Sequence, residues 1–350
     1  MARFTAALGA ILNILREVNT RAVRAAAETP FSIVFTGRDA LIAAHLANLL
    51  YRGDRPDAVP FPRAAKGAPL NDAVQLAQAS LVVILARADQ RDDEAQRLHR
   101  ALQTAGVPCL MVYLQPTGAH HAAGPALHIP VPDHATAETI ALERLIRAIR
   151  EVGVIDDLAL ARYLPAFRRS VVRDLIEETA TANATYSLGA GLLQVNLVTG
   201  LPVAVADTIV LTKNQLLMAY KITLAMGMPS DARHIMPQVL GVIGGGLACR
   251  QAARGLVSVL PALGIAPKVA IAFAGTYAIG EAVYRWCRSG EQFTAARWRA
   301  LYAQALVKGR AAAAALWRRL RTRFSRRPAR IPRDQPLLSA NGVARYEEVQ

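Results

Sequence analysis

Gly37 closes an apolar run, Phe31–Gly37, and stands directly before a helical pattern. Phosphate-binding loops place their first glycine at such a junction. A P-loop then needs G-x-x-x-x-G-K-[ST], so that amides and a lysine surround the phosphates and a hydroxyl holds magnesium. Counted from Gly37, the last three positions are Ile42, Ala43 and Ala44. Glycine, lysine and hydroxyl are all missing. His120, His121, His128 and His134 lie close in sequence beside Asp133, but without the helical i,i+4 spacing that pairs metal ligands. No serine sits in a G-x-S-x-G elbow. Asp39, Asp89, Asp92 and Asp93 follow apolar runs, where α/β enzymes carry catalytic groups, yet loop carboxylates are usually only solvated. Cys109, Cys249 and Cys287 share no ligand spacing and point to a reducing compartment. No catalytic, cofactor-binding or metal-binding residue is assigned, and an active enzyme is not expected.

A second constellation lies in an apolar helical region. It runs Leu201, Pro202, Val203, then Asp207, Asn214, Gln215, Met218 and Lys221. A Gly-rich stretch follows, Gly241 to Gly280, whose only charges are Arg250, Arg254 and Lys268. A buried charge must pair or titrate to neutrality, so Asp207 is expected to meet Lys213, Lys221, Lys268 or Arg254. Gly241, Gly244, Gly245, Gly246 and Ala248 are small enough to let helices approach closely. Pro202 is expected to start a helix, and Pro261 to Pro267 with Gly264 to form a turn.

Two kinds of element must position these residues. Between 30 and 153, apolar runs at Phe31–Gly37, Ser80–Ala86, Val107–Leu114 and Leu127–Pro132 alternate with helical patterns. The helices fall at Arg38–Tyr51, Asn71–Gln78, Asp92–Thr104 and Ala137–Val152, with a Pro-rich loop over Arg55–Pro69. Continuous apolar strands separated by helices predict a parallel sheet in an α/β layer fold. Beyond 154 the strand signals stop. Leu158–Leu164 and Phe167–Ala184 read as helices, and 28 residues from Thr179 to Ala206 carry no charge. That run exceeds the roughly 20 residues needed to cross a bilayer, although it contains Gly200 and Pro202. The uncharged stretches Ile235–Cys249, Gly255–Pro267 and Val269–Gly280 are shorter, and suit hairpin insertion or a buried helical core.

The ends add two more elements. Phe4, Leu8, Ile11, Leu12, Leu15 and Val18 recur at helical spacing among arginines, an amphipathic helix over 1–29 rather than a signal peptide. A last helix is expected from Gln292 to Phe324, inside a basic amphipathic segment at 291–327, and 328–350 reads as a disordered tail.

Composition bounds the location. The 350 residues are 53% hydrophobic and only 19% charged, below the roughly one quarter usual for soluble domains. Of the net charge of +15, most comes from the segment Arg285–Arg333, with 14 basic residues and one acid, Glu291. Arg318, Arg319, Arg321, Arg323, Arg326 and Arg327 crowd its end beside Trp317 and Phe324. A basic stretch after apolar helices fits a cytoplasmic flank on anionic lipid. A solvated tail and a nucleic-acid contact are the other readings of the same charge.

Two resemblances complete the picture. The order of elements in 30–153 resembles small Ras-like GTPases. Ser80–Ala86 followed by Asp89 looks like the strand facing the catalytic centre, and Val107–Gln115 like the strand that ends in the guanine-reading motif. Here Leu114, Gln115, Pro116 and Thr117 stand in place of that motif. The segment Gly200–Gly290 resembles a bacterial family of unknown function found fused behind Ras-like GTPase domains and related to YcjF-type inner-membrane proteins. The matching residues are Pro202, Asp207, Gln215, Met218, Ile222 and Gly227, then Leu240, Gly244, Arg254, Leu260, Pro261, Gly264, Thr276, Gly280 and Tyr284.

The expected fold is therefore α/β plus all-α. A P-loop-GTPase-like layered α/β domain lacking nucleotide motifs spans 30–153, and a Gly-rich apolar helical domain spans 154–290. The resemblance implies an architecture and a location, the cytoplasmic face of a membrane, and no reaction; with the P-loop residues missing, no cofactor is expected and the job is that of a non-enzymatic scaffold or regulator. Its partners would be an anionic membrane surface and a protein, an active GTPase or a second copy. The alternatives are a cytoplasmic protein-interaction module and a nucleotide-binding enzyme with an unorthodox site.

Overall fold

Alternating strand and helix signals in the first half build one open sheet. The structure, a computed structural model, describes residues 20–58, 64–69, 73–89, 92–116, 126–193, 203–244, 265–291 and 293–325. Helix α1 (Thr20–Glu28) precedes β1 (Ile33–Gly37), α2 (Ala40–Leu49), β2 (Ala65–Gly67), α3 (Ala73–Ala77), β3 (Leu81–Arg87), α4 (Asp93–Thr104), β4 (Cys109–Gln115), β5 (Leu127–Pro130) and α5 (Ala135–Val152). All strands are parallel, in the order β2-β1-β3-β4-β5. That is the order of flavodoxin-like doubly wound sheets. Their apolar runs are continuous because both faces are covered. Ile33, Phe35, Leu81, Val83, Val112 and Ile129 cluster with Leu46 of α2 and Leu145 of α5. Val34, Val82 and Ile84 cluster on the other face with Leu76 of α3 and Ala95 and Leu102 of α4.

The second half is helical. It comprises α6 (Asp157–Tyr163), α7 (Pro165–Leu193), α8 (Val203–Ala225), α9 (residues 232–244), α10 (Ile265–Ser289) and α11 (Ala295–Ser325). The described chain is thus a mixed α/β protein with a five-stranded parallel sheet and eleven α-helices. One apolar core joins the halves, running from Ile33 and Leu145 through Leu160 and Phe167 to Met218, Ile279 and Trp298. Helix ends are set by local chemistry. The carboxylates of Asp39, Asp92 and Asp156 accept first-turn amides, and Gly153 ends α5 in the left-handed region at φ 70°.

Several expectations need correction. Ala65–Gly67, placed in a loop, is a strand that adds to the outer edge of β1. Of the uncharged run Thr179–Ala206, α7 takes the part to Leu193 and α8 the part from Val203, and 194–202 lie outside the described residues. No helix among the described residues is long and apolar enough to cross a membrane. Pro267 belongs to the first turn of α10, where a missing N–H costs nothing, rather than to a turn between helices. Among the described residues Gly241 and Gly244 mediate no close approach, for a Cβ on either would meet nothing within 4 Å, and Gly245, Gly246 and Ala248 lie outside the described residues. The close approaches are made at Gly280, where a Cβ would fall 2.6 Å from Ile176 Cγ1, and Gly309, 2.4 Å from Ala270 O. Of the N-terminal amphipathic helix, the described part is α1, which packs Ala27 and Val23 on the common core. Residues 1–19 and the expected tail at 328–350 lie outside the described residues.

Candidate functional site

In an open parallel sheet, ligands bind beyond the carboxyl ends of the strands, where the strand order reverses. Here that point lies between β1 and β3. Only Arg38 and Asp39 separate β1 from α2. The Asp39 carboxylate accepts hydrogen bonds from the amides of Leu41 and Ile42, both at 3.0 Å. Those first-turn amides are the donors a phosphate would use, and a carboxylate already holds them. Gly37 serves the sheet, because a Cβ there would fall 2.8 Å from Leu85 O. Asp92 caps α4 through the Ala95 amide at 3.1 Å and meets Arg38 Nε at 3.3 Å. Arg87 grips Asp89 with two hydrogen bonds of 3.0 and 2.9 Å, which hold the Asp89 carboxyl below its ordinary range. Arg38 with Asp92 and Arg87 with Asp89 thus form two ion pairs, beside the amide-held Asp39.

The remaining candidates have structural work. Gln115 is buried at the end of β4, its amide nitrogen 3.2 Å from His128 Nδ1. His128 also stacks on Tyr113. His134 Nδ1 accepts from the Ala137 amide at 3.1 Å and caps α5. The histidine cluster is therefore divided, with His120 and His121 outside the described residues. Among the described residues no group of three His, Cys, Asp or Glu could hold a metal ion.

The most concentrated polar chemistry lies where the two halves meet, and sequence reasoning missed it. Arg168, in the first turns of α7, is fully buried. Its guanidinium donates to five carbonyls: Ala161 at 3.0 Å, Asp54 and Arg55 at 2.6 Å, and Ala58 and Arg162 at 3.1 Å. Burial pushes its pKa down to about 10, with Arg55 adding to the shift, so at neutral pH it is a cation held by dipoles. Arg55 donates to Cys287 O at 3.1 Å, and Tyr284 donates a short hydrogen bond to Asp54. The loop from α2 toward β2 is thus pinned to α6, α7 and α10. Nothing in the local pattern singles out Arg168, which follows Phe167 and precedes Arg169 at the start of a helix.

Gly227 completes this junction. It sits just past α8 at φ 72°, and a Cβ would fall 2.2 Å from Ala58 O. Gly106 has the same φ with nothing within 4 Å. Gly106→Ala is therefore expected to lose about 1 kcal/mol from backbone strain alone. Gly227→Ala should lose clearly more, because its Cβ also meets backbone. Urea melts of the two variants isolate the contact, and equal losses would deny it.

A buried polar seam crosses the helical half. Thr276 Oγ1 accepts from Asn183 Nδ2 at 2.9 Å and from Gln215 Nε2 at 3.0 Å, and donates to Ala272 O at 2.9 Å. Asn214 Nδ2 donates to Asn183 Oδ1 at 2.7 Å. Gln215 and Thr276 were both singled out by resemblance, and the structure brings them together. Gly280 packs one turn further along the same helix. The side chain of Asp207 and residues Pro202, Arg254, Pro261 and Gly264 lie outside the described residues, so the expected Asp207 pairing does too. Beside the seam a groove of about 230 Å³ is lined by Glu178, Asn214 and Lys221. A wider cleft of about 940 Å³ lies along the β4–β5 edge by Met111, Tyr113 and Arg147.

The basic segment folds onto the bundle. Trp298, Leu301, Ala305 and Ala313 of α11 are buried, mainly against α10, while Val307 is 69% and Trp317 51% exposed. Arg318 and Arg319 are exposed. Arg321 and Arg323 continue the helix, their side chains outside the described residues, as are Arg326 and Arg327. Comparison with known proteins finds no family model and no curated protein that matches this chain.

Proposed function

We propose that this chain is a non-enzymatic scaffold or regulator attached to the cytoplasmic face of a bacterial membrane, acting beside an active GTPase. One observation carries the non-enzymatic half of that reading. The β1–α2 junction, where a P-loop would hold phosphate, is two residues long and its helix amides are held by Asp39. A phosphate brought there would meet a carboxylate instead of a lysine. On this reading the α/β half keeps a GTPase-like sheet without its chemistry, and the helical half belongs with the YcjF-related family. The all-basic helix α11, with eight Lys and Arg and no acid between Ala295 and Ser325, supports membrane attachment.

Calorimetry with GTP, GDP and ATP in magnesium is expected to give no binding heat. In flotation, the full chain should rise with anionic vesicles at low salt and lose much of that binding at high salt, as screened charge requires. Micromolar binding of any of the three nucleotides would restore an enzyme reading. Failure to float would favour a cytoplasmic interaction module.

A further inference from the structure

The helical half has two unlike ends. At the near end, Arg168 of α7, Gly227 after α8 and Cys287 of α10 all touch the loop that follows α2. At the distal end, Ala184 and Leu188 of α7 cluster with Val269 and Phe273 of α10 and with Ala313 and Leu316 of α11. Helix α11 therefore runs away from the sheet, from Trp298 in the common core toward Trp317. The 29 residues of α7 set the separation at roughly 40 Å, from a rise of about 1.5 Å per residue.

Charge divides along this axis, with the seam at Asn183, Gln215 and Thr276 as the boundary. On the near side acids and bases mix, as in Arg173–Glu177 and Arg285–Glu281. Beyond the seam, α7 has no charge from Thr179 to Leu193, and α10 has only Lys268 from Ile265 to Gly280. Helix α8 contributes Asp207 and Lys213, and α11 from Gly309 onward contributes Arg310, Arg318, Arg319, Arg321 and Arg323. The described distal end thus holds seven cations against one acid. It also exposes two aromatic side chains, Trp317 at 51% and Tyr186 at 37%. Aromatics with an apolar body and a polar tip, ringed by arginine, suit the headgroup layer of an anionic bilayer.

We propose that the distal end of the bundle seats end-on against an anionic lipid surface. Trp317 and Tyr186 enter the headgroup layer, Arg318 and Arg319 meet lipid phosphates, and the sheet stands off by the length of the bundle. This deepens the membrane reading above and rests on it. The competing pose lays α11 flat, which would bring the exposed Val307, about 15 Å up the helix from Trp317, equally into the lipid.

Tryptophan quenching by phosphatidylcholine–phosphatidylglycerol vesicles with brominated acyl chains separates the poses. The intact chain is expected to lose Trp317's share of its emission, and Trp317→Phe to bind with little quenching. The double variant Trp317→Phe, Val307→Trp should also bind with little quenching, since position 307 stays in water. Quenching of that double variant as strong as the parent's would overturn the end-on pose in favour of the flat one. Vesicle binding without quenching of Trp317 would overturn the proposal while leaving membrane attachment standing. Absence of vesicle binding would remove both.

Discussion

Arg168→Ala is expected to lose about 4 kcal/mol or more of folding free energy, near the upper limit for single substitutions. The side chain is fully buried, and its removal would take the guanidinium donor from the carbonyls of Asp54, Ala58, Ala161 and Arg162 at once, and leave Arg55 O only the Ala58 amide. A hydrogen bond to a charged group contributes roughly 1.5–3 kcal/mol, and an unsatisfied buried acceptor costs about 1–3 kcal/mol. Collapse of the loop around the cavity recovers part of that, so the sum is an upper bound. Arg168→Lys keeps the charge but offers three donors from one point rather than a planar fork of five, and should recover less than half of the loss. Urea denaturation of parent, Lys and Ala variants gives the order directly. Hydrogen exchange in the Lys variant should rise first in residues 52–58. An Ala variant melting within 1 kcal/mol of the parent would mean that the carbonyls reach water and the junction is not sealed.

Thr276→Val is the second large effect, at about 2–4 kcal/mol. Valine matches threonine in shape, so the core is not emptied and the loss is chemical. It leaves Asn183 Nδ2 and Gln215 Nε2 without the acceptor both now use, deep between three helices. A stranded donor at Asn183 costs roughly 1–3 kcal/mol, and the lost Gln215 bond adds about 1 kcal/mol. Thr276→Ser keeps the hydroxyl and should lose much less. Replacing Asn183, Asn214, Gln215 and Thr276 together by apolar residues of similar volume should cost less than Thr276→Val alone, because these donors are removed with their acceptors. Thermal melts of the four proteins decide it, and a Thr276→Val variant as stable as the Ser variant would show that water enters the seam.

Much of the fold is legible in the residues. β1 and β3 are continuous apolar runs ended by Gly37 and Arg87, and burial on both faces is the physical reason they have no polar alternation. The helices expected from Arg38, Asp92 and Leu158 start at Ala40, Asp93 and Asp157, each directly after an aspartate whose carboxylate caps it. The strand at Ala65–Gly67 is not legible, since three residues including Lys66 and Gly67 carry no period and lack strand propensity. It exists because the outer edge of β1 needs a partner for its backbone groups. The turn expected over Pro261–Pro267 was carried too far along the chain, as proline breaks a helix interior but not its first turn, and Pro267 already lies in α10, while 261–264 lie outside the described residues.

What the sequence determined by itself is whatever depends on near neighbours. The missing P-loop residues at Ile42, Ala43 and Ala44, the alternation of strands and helices, and the gathering of positive charge after Arg285 all stand without coordinates. Only the tertiary structure decided which residues meet across distance. Asn183 and Thr276 are 93 positions apart yet share a hydrogen bond, and Arg168 reaches back more than a hundred residues to Asp54. A buried polar group must find its partner wherever the packing of apolar faces brings one, and that packing is a property of the whole chain rather than of any window along it.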